Sequence, residues 1–321
     1  MNKNVYCVLI GLFIATFALS SCDDKRKGSG RTDTHSSGAI SFASDESFSP
    51  IIDEEVEIFE HNTPKAKLTP IYTNESEAVK MLLDEKIFLA ITSRDLTKNE
   101  RNILKNKGYK NIRSFPIAYD GLALIVHKSN TDTCITVNDI ARILKGEVKK
   151  WDEIYPQSKR GDIEVIFDNP KSSTARYAAD SILGGTPINS PNIQAVDKSE
   201  EVINYVEKTP NAIGIIGSNW LNDKRDTTNV TFKKNIRVMS VSRMQTATSY
   251  NSWKPYQYYI YNDSYPLIRT IYGILTDRIR GLPWGFANFL TSPKAQLVIF
   301  QSSLLPAYGD LTVRKVNVTK D

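Results

Sequence analysis

Apolar and polar residues follow one another along the chain in short segments that predict strands and helices in turn. Residues 39–43 (AISFA) alternate as a strand does, and 68–72 and 88–92 are further segments of strand length. Between the first two, apolar residues recur at helical spacing from Phe48 to Phe59. Strands that alternate with helices in this way are typical of an α/β lobe with a largely parallel sheet.

The same order returns in the second half of the chain. Residues 118–127 (AYDGLALIVH) predict a strongly apolar strand, and Thr136 stands where it would cap the helix that follows. A strand at 163–167, a helix from Thr174 and a strand at 212–217 (AIGIIG) complete the pattern. This part of the chain is therefore predicted to form a second α/β lobe.

The segment after about Met244 contains too few predicted strands and helices to form a third domain. Tyr258–Tyr261 alternate like a half-buried strand, and residues 285–300 (GFANFLTSPKAQLVIF) predict one amphipathic helix. We interpret this segment as a return to the first lobe, with a ligand cleft between the two lobes. The predicted division is 39–117 and 247–321 for lobe 1 and 118–246 for lobe 2.

The N-terminus has the features of an export signal. Residues 1–21 combine Lys3 with an apolar run that is too short to span a membrane, followed by small residues. The tetrad that ends at Cys22 is similar to a bacterial lipobox, in which the cysteine is lipidated; an ordinary signal peptide cut elsewhere is the alternative. Residues 22–38 are polar and rich in Gly and Ser, which predicts a flexible tether.

Composition and charge narrow the function further. The chain of 321 residues has a formal net charge of +5, which becomes +4 when the signal and its single charged residue, Lys3, are removed. This weak positive charge suits small anions and does not indicate nucleic-acid binding. Of the three cysteines, only Cys134 would remain as a free thiol in the mature protein, because Cys7 lies in the signal and Cys22 would be lipidated, so no intramolecular disulfide is expected.

Three consecutive hydroxyl residues, Ser172, Ser173 and Thr174, stand between a predicted strand and a predicted helix. Backbone N–H groups at a helix start have no partner within the helix, and hydroxyls add further donors beside them. A tetrahedral oxyanion would satisfy such a set of donors. The alternative is that one of the three simply caps the helix.

Hydroxyl residues recur at three other junctions of this kind, at Ser47, Ser76 and Ser93, the last followed by Arg94. Junctions that follow parallel strands lie on one edge of a sheet, so two lobes facing one cleft would bring these groups together. Capping alone does not account for four such junctions, and the sequence favours an oxyanion site.

No constellation for catalysis or metal binding is found. His35, His61 and His127 have no metal-ligand spacing, and no nucleophile elbow or Walker loop is present. We therefore expect neither enzyme activity nor a metal or cofactor. The aromatic run at 253–266 (WKPYQYYIYNDSYP) allows an alternative from another class: a surface lipoprotein that binds a macromolecular partner, if these tyrosines are exposed.

Several segments, in the same order, resemble the periplasmic phosphate-binding proteins of ABC importers, the PstS-like group. They are AYDGLALIVHKSN, ITVNDIARILKGEVKKWDEI, NAIGIIGSNW, YPLIRTIYGIL and FLTSPKAQLVIFQSSLLPA. The resemblance covers about 39–307. It implies a bilobed periplasmic-binding-protein fold that closes over one ligand by hinge motion.

The resemblance also implies which residues bind the ligand. Ser47 and Phe48 match the hydroxyl–Phe pair of the family, and Ser76 matches its second-helix serine. Ser172 and Thr174 match the family's hydroxyl loop, where Ser173 replaces a glycine.

Two charged positions depart from the family pattern. The family has an Asp after the third-strand serine and an Arg at the start of the second-lobe loop, whereas this chain has Arg94 and Asp168. As a hypothesis, Arg94 binds the anion oxygens through its planar fork, and Asp168 accepts a hydrogen bond from a protonated oxygen. The alternatives are a salt bridge between them or solvent exposure. Arg176 is a second candidate cation or a surface residue.

The signal, the lipobox and the resemblance together predict an exported, lipid-anchored, monomeric protein of the cell envelope, facing the periplasm or the surface, that captures phosphate or a related oxyanion. The permease of an ABC importer as its partner is implied by the resemblance alone. A phosphate-sensing role is a further alternative. We expect no nucleic-acid partner.

Overall fold

A computed structural model describes residues 30–188, 190–222 and 232–309 of the chain. The predicted signal peptide and Cys22 lie outside these residues.

Strands from both halves of the described chain form one long curled sheet and a small two-stranded sheet. The order in the large sheet is β2-β1-β3-β11-β4-β8-β6-β7, with β9 and β12 also paired to β4, and β5 pairs with β10. The strands are β1 Gly38–Asp45, β2 Ala66–Thr73, β3 Leu89–Thr92, β4 Arg113–His127, β5 Cys134–Thr136, β6 Glu164–Phe167, β7 Ile193–Ala195, β8 Ala212–Gly217, β9 Ile236–Val238, β10 Ser240–Ser242, β11 Ile268–Leu275 and β12 Leu305–Pro306.

Helices connect the strands and cover the faces of the sheet. Short 3-10 turns at Glu46–Phe48, Trp151–Glu153 and Ser218–Trp220 and one π-helical turn at Ala178–Ile182 accompany them. The helices are α1 Ser49–Asn62, α2 Glu75–Leu83, α3 Lys98–Asn106, α4 Val137–Leu144, α5 Ser173–Tyr177, α6 Ser199–Lys208, α7 Gln257–Tyr261, α8 Leu282–Leu290 and α9 Pro293–Gln301.

The long strand β4 passes from one lobe into the other. Its first part pairs with β11, from Arg113 to Gly121, and its second part pairs with β8, from Leu122 to Val126. Strands β1, β2 and β3 are parallel to each other, and so are β6, β7 and β8, whereas β11 and β4 run antiparallel to their neighbours. The predicted bilobed α/β architecture is therefore confirmed, with two parallel subsheets joined by crossing strands.

Each lobe has its own apolar core on both faces of its part of the sheet. In lobe 1, one core contains Phe42, Phe48 and Phe286, and another forms around α2 and α3. In lobe 2, one core surrounds Trp151 and another packs α6 on β8. Two cores on either side of a sheet hold the carboxyl ends of its strands in place, and those ends face the other lobe.

The C-terminal segment differs from the sequence prediction in two respects. Tyr258–Tyr261 belong to helix α7 and not to a strand, with Ile260 buried and Tyr258 and Tyr261 exposed. The predicted single helix at 285–300 is two helices, because Ser292 caps a new helix by accepting from the backbone N–H of Ala295 and Pro293 takes its first position.

Two segments pack differently from the predicted division. Ile260, Tyr265 and Leu267 belong to the core of lobe 2, although we assigned 247–321 to lobe 1. At the N-terminus, Arg31 forms ion pairs with Asp33 and Asp277, although residues 22–38 were predicted to be a flexible tether. Ordered contacts with the body of the protein therefore begin before β1.

Candidate functional site

The end of β1 brings Ser47 and Phe48 to the boundary between the lobes. Asp45 accepts hydrogen bonds from the backbone N–H and the hydroxyl of Ser47, at 2.9 and 2.6 Å, and so fixes the turn. Asn219 of lobe 2 donates from its side-chain amide to the backbone carbonyl of Ser47, and so does the indole of Trp220. Ser47 and Phe48 are fully buried.

The three hydroxyl residues at the start of α5 have different roles. Ser172 is the helix cap and accepts from the backbone N–H of Ala175, as the capping alternative requires for one of the three. Ser173 and Thr174 are fully buried, and the hydroxyls of Ser173 and Ser47 lie 3.2 Å apart across the lobe boundary. The predicted meeting of hydroxyl residues from both lobes is therefore present for Ser47, Ser173 and Thr174.

Arg269 on β11 lies at the centre of this meeting, and it is almost fully buried. Its Nη1 donates to the hydroxyls of Ser173 and Thr174, at 2.8 and 3.3 Å, and its Nη2 donates to that of Ser47 at 3.3 Å. The ring of Phe48 lies under the guanidinium, with 4.7 Å between the ring centre and Cζ. The cation at this meeting of hydroxyls is therefore Arg269, and the hypothesis that Arg94 contacts a ligand stays a prediction.

Asp120 on β4 holds the other edge of this guanidinium. Arg269 donates from Nε to its carboxylate at 2.9 Å, and the second oxygen accepts from the backbone N–H and the hydroxyl of Ser218. A Cβ at Gly217 would lie 2.7 Å from the guanidinium and 2.8 Å from the carboxylate, so a glycine is needed beside the pair. Arg269 thus donates four hydrogen bonds, and its Nη2 also lies 2.8 Å from the carboxylate of Asp120.

Asp168 lies at the end of β6, where the sequence predicted an acceptor. Its carboxylate accepts from the hydroxyls of Ser172 and Thr174, at 2.6 and 3.0 Å, and the residue is 1% exposed. Asp168 forms no ion pair with Arg94, so the alternative of a salt bridge between these two residues is wrong. That Asp168 contacts a ligand stays a prediction.

A second group of contacts joins the lobes at the rim. Arg176 of α5 donates to the carboxylate of Glu75 at 2.6 Å and to the hydroxyl of Ser93 at 2.7 Å. Glu75 also accepts from the backbone N–H and the hydroxyl of Ser93. Arg176 is therefore not a free surface residue but forms an inter-lobe contact, and whether it is a second cation for a ligand stays a prediction.

Arg94 and Ser76 are not placed as the sequence predicted. The planar fork of Arg94 is engaged by both oxygens of Glu100, at 2.8 and 2.9 Å, because a capping box brings Glu100 to the start of α3. Ser76 is exposed, and the residue that caps α2 is Asn74, which accepts from Glu77. The buried first-turn residue Glu75 enters the inter-lobe contacts instead.

Burial shifts the acids of this region towards the protonated form. Desolvation raises the pKa of Asp45 to about 6, although the Ser47 hydroxyl stabilises the carboxylate and opposes the shift. Desolvation also raises the pKa of Asp168 and of Glu46, which accepts from Ser199 of lobe 2.

Sequence reasoning missed Arg269, Asp120, Asp45, Glu75 and Asn219 as site residues. A signal was present for two of them, since Asp120 and Arg269 are charged residues inside otherwise apolar strands, in AYDGLALI and PLIRTI. Taken together, the arrangement can bind a small oxygen-rich ligand between hydroxyls and one arginine, with carboxylates as additional acceptors. In the described ranges no cluster of His, Cys, Asp and Glu is arranged to hold a metal ion.

A family model and a known relative each match most of this chain. The family model of the PBP superfamily domain matches residues 29–294. The chain is 24% identical over 275 residues to the phosphate-binding protein PstS of Borreliella burgdorferi. The aligned segment covers 83% of this chain and 89% of that protein.

Solved structures agree on the fold. A substrate-binding protein from Clostridium perfringens with bound phosphate matches with a TM-score of 0.70 at 20% identity, covering 84% of this chain and 100% of that one. An ABC-type phosphate transport receptor from Vibrio cholerae matches with a TM-score of 0.62 at 21% identity and the same coverage. These relatives are binding and transport proteins by name, in agreement with the expectation of a binding protein and not an enzyme. Among the described residues, no helix has the length and hydropathy needed to cross a bilayer.

Proposed function

Because the chain belongs to the PBP superfamily, we propose that it is an exported solute-binding protein that captures phosphate for an ABC importer. The ligand is held between the hydroxyls of Ser47, Ser173 and Thr174, with Arg269 as the cation. The names of the relatives support phosphate as the ligand and a role in ABC-type transport, and the permease as partner is part of our proposal.

The observation that carries this proposal is the convergence of hydroxyls from both lobes on one buried arginine. Ser47 comes from lobe 1, and Ser173 and Thr174 come from lobe 2; all three lie within hydrogen-bond distance of Arg269. A tetrahedral oxyanion can accept from the hydroxyls and from the guanidinium together. No other part of the described chain brings both lobes to a buried cation in this way.

Ligand entry requires the lobes to separate. The hydroxyls of Ser47 and Ser173 are in contact, and a backbone N–H of lobe 2, that of Ser173, donates to Asp45 of lobe 1 at 3.3 Å. The strands β4 and β11, which run between the lobes, are the natural hinge. On opening, the contact between the hydroxyls of Ser47 and Ser173 would break, and so would the hydrogen bonds from Arg269 to Ser173 and Thr174, which makes two N–H groups of the guanidinium available to an anion.

We further propose that Cys22 carries the lipid anchor and that the protein faces the periplasm or the cell surface. Stable attachment requires more than one acyl chain, which a lipidated N-terminal cysteine supplies.

One observation supports a second candidate function, that of a lipoprotein that binds a macromolecular partner. Tyr258 and Tyr261 of α7 are exposed, at 64% and 57%. The neighbouring Ile260 and Tyr265 are core residues, so the aromatic run as a whole does not form one continuous exposed surface.

Calorimetric titration of the full-length protein, purified in detergent and freed of phosphate, tests the proposal. We expect tight one-to-one binding of phosphate and little response to sulfate. Arg269→Gln should abolish binding, while the control Arg243→Gln, which removes an exposed arginine paired with Asp263, should leave it unchanged. Failure of the wild-type protein to bind phosphate would contradict the proposal and bring the second candidate forward.

A further inference from the structure

The end of lobe 1 that lies opposite to the cleft carries a group of exposed bases. Arg269 lies near the start of β11, whereas Leu275, at the other end of that strand, pairs with Arg113 of β4 and Leu89 of β3. At about 3.3 Å per residue of strand, this end is about 20 Å from Arg269. Six exposed bases lie around it, and we call them the basic pole: Lys105, Lys107, Lys110, Arg113, Arg278 and Arg280.

Contacts between the end of α3 and the loop before α8 join part of the pole into one surface. Arg278 donates from its guanidinium to the backbone carbonyl of Lys107 at 2.7 Å. The ring of Tyr109 lies under the same guanidinium, with 3.8 Å between the ring centre and Cζ. Lys105 and Lys110 are close neighbours of these residues in sequence, so the end of α3 and this loop present their charges together.

The first turns of α8 connect the remaining two arginines. Arg113 donates to the side-chain oxygen of Asn288 at 2.7 Å, and Asn288 lies one helical turn after Trp284. The guanidinium of Arg280 lies over the ring of Trp284, with 5.9 Å between Cζ and the ring centre. Trp284 is half-buried. The pole therefore combines bases with an indole, a side chain that is enriched where proteins meet the membrane interface.

Nearby acids neutralise only part of the pole. Glu85 lies 3.9 Å from both Lys107 and Arg278, and Asp84 lies 4.0 Å from Lys86. The other four bases of the pole have no acidic partner within residues 30–188, 190–222 and 232–309: Lys105, Lys110, Arg113 and Arg280. An exposed surface with such an excess of positive charge attracts a polyanionic surface.

The chain enters the body of the protein beside the pole. Arg31 pairs with Asp33 and with Asp277, which directly precedes the loop that carries Arg278. Only seven residues separate Cys22 from Gly30 in the sequence, and a connection of this length spans at most about 28 Å. A lipid on Cys22 would therefore keep the basic pole within reach of the bilayer surface.

We propose that the basic pole of lobe 1 binds the anionic phospholipid headgroups of the membrane in which Cys22 is anchored. This inference rests on the lipid anchor of the proposed function. The short connection contains Asp23 and Asp24 followed by Lys25, Arg26 and Lys27, so it adds no net negative charge that would oppose the contact. Docking through this end turns the cleft away from the bilayer and leaves it open to solutes.

Hydrogen exchange of the lipidated protein on vesicles tests this inference. The protein is reconstituted in vesicles of phosphatidylcholine alone and in vesicles with about 30% phosphatidylglycerol, and mass spectrometry follows exchange of backbone amides at 107–113 and 277–284. The anchor attaches the protein to both, so a difference reports docking and not attachment. We expect exchange in both segments to be at least about fivefold slower on the anionic vesicles. About 0.5 M NaCl should remove the difference, because salt screens exposed charges.

A triple variant tests the bases themselves. Lys105→Gln, Lys107→Gln and Lys110→Gln combined should remove most of the protection on anionic vesicles. The matched control combines Lys145→Gln, Lys149→Gln and Lys150→Gln, which removes three exposed lysines of lobe 2 and should keep the protection. Both variants should bind phosphate as the wild-type protein does, because neither set contacts the cleft. Equal loss of protection in the two variants would mean that net charge, and not the basic pole, attracts the membrane.

The outcomes separate this inference from the proposed capture of phosphate. Equal exchange on the two kinds of vesicle, with Cys22 acylated, overturns the inference and leaves both the anchor and phosphate binding standing. Absence of acylation at Cys22, which mass spectrometry of the intact protein detects, overturns the anchor and this inference together. Calorimetry with phosphate decides the proposed capture independently of both results.

Discussion

Arg269 and Asp120 lie directly opposite each other on the crossing strands β11 and β4, and their side chains form a buried ion pair. Cross-strand neighbours of this kind have Cβ atoms close together, which explains why the pair forms without any loop to position it. Since both strands run between the lobes, one ion pair fixes the cation of the proposed site to the hinge.

Removal of one partner of this pair should be strongly destabilising. Asp120→Asn leaves the guanidinium of Arg269 buried without its counter-charge, and we expect the free energy of unfolding to fall by about 3–5 kcal/mol. Urea denaturation measures this change. The control Asp263→Asn breaks an exposed pair with Arg243 and should cost at most about 1 kcal/mol; equal losses for the two variants would mean that the buried pair has no special role.

Sequence patterns predicted the elements around this pair better than they predicted the site. The apolar strands of β3, β4 and β8 and the caps at Thr136 and Ser172 have local signals, because strand alternation and capping depend on neighbours in sequence. The ion pair joins residues 149 positions apart, which no local pattern contains.

Two sequence expectations, one for the contacts of Arg94 and one for the structure of Tyr258–Tyr261, differ from the structure for the same physical reason. Arg94 was placed at the ligand because of its position after β3, but Glu100, six residues later, engages its fork. Tyr258–Tyr261 alternate as a strand would, but Tyr256 and the following residues form a helical turn that buries only Ile260. In both segments, nearby residues or tertiary packing override a pattern that is too short to be specific.

The contact between Arg176 and Glu75 should favour the closed arrangement of the lobes. Glu75→Ala removes an inter-lobe ion pair that has distances of 2.6 and 3.3 Å, so the open form becomes more populated. The apparent affinity for phosphate should fall about 3–30-fold, because ligand binding must then also drive closure. Small-angle scattering of the same variant should give a larger radius of gyration without ligand.

The control for this variant is Asp180→Ala, which removes the second acidic partner of Arg176. Asp180 lies one turn further along the same segment of lobe 2, so its loss does not affect the contact between the lobes. If Asp180→Ala weakens binding as much as Glu75→Ala does, the effect arises from the environment of Arg176 and not from lobe closure.

Glu55 of α1 is fully buried, and neither of its carboxyl oxygens has a hydrogen-bond partner. Desolvation raises its pKa from 4.5 to about 9, so the native state binds this proton more tightly than the unfolded state does. The free energy of unfolding should therefore fall as pH rises from about 5 to 9. Glu55→Leu should remove this dependence, with a gain about 2–4 kcal/mol larger at pH 8 than at pH 5.

Urea denaturation at both pH values tests this prediction, with Glu57→Leu as the control. Glu57 lies on the same helix but is exposed, so its replacement should give the same change at pH 5 and pH 8. A gain for Glu55→Leu that does not vary with pH would show that the carboxyl is charged in the native state.

Asp33 caps a helix that lies far away in the sequence. Its Oδ2 accepts from the backbone N–H of Leu282 at 2.6 Å, at the start of α8, where the cap residue Gly281 offers no side chain. Burial raises the pKa of Asp33, but the hydrogen bonds from Arg31 and Leu282 outweigh it and hold the pKa below its ordinary value. Asp33→Ala should therefore cost about 0.5–2 kcal/mol at neutral pH.

The pH dependence distinguishes this cap from a simple packing contact. Because the folded pKa of Asp33 is lowered, its stabilisation is present above the unfolded pKa and is lost as pH falls through the folded one. The difference between Asp33→Ala and the wild-type protein should shrink below about pH 4, whereas the control Thr32→Ala, at an exposed neighbour, should have little effect at any pH. A constant difference down to pH 2 would mean that Asp33 acts through packing, and no difference at all would return residues 31–38 to the flexible segment that the sequence predicted.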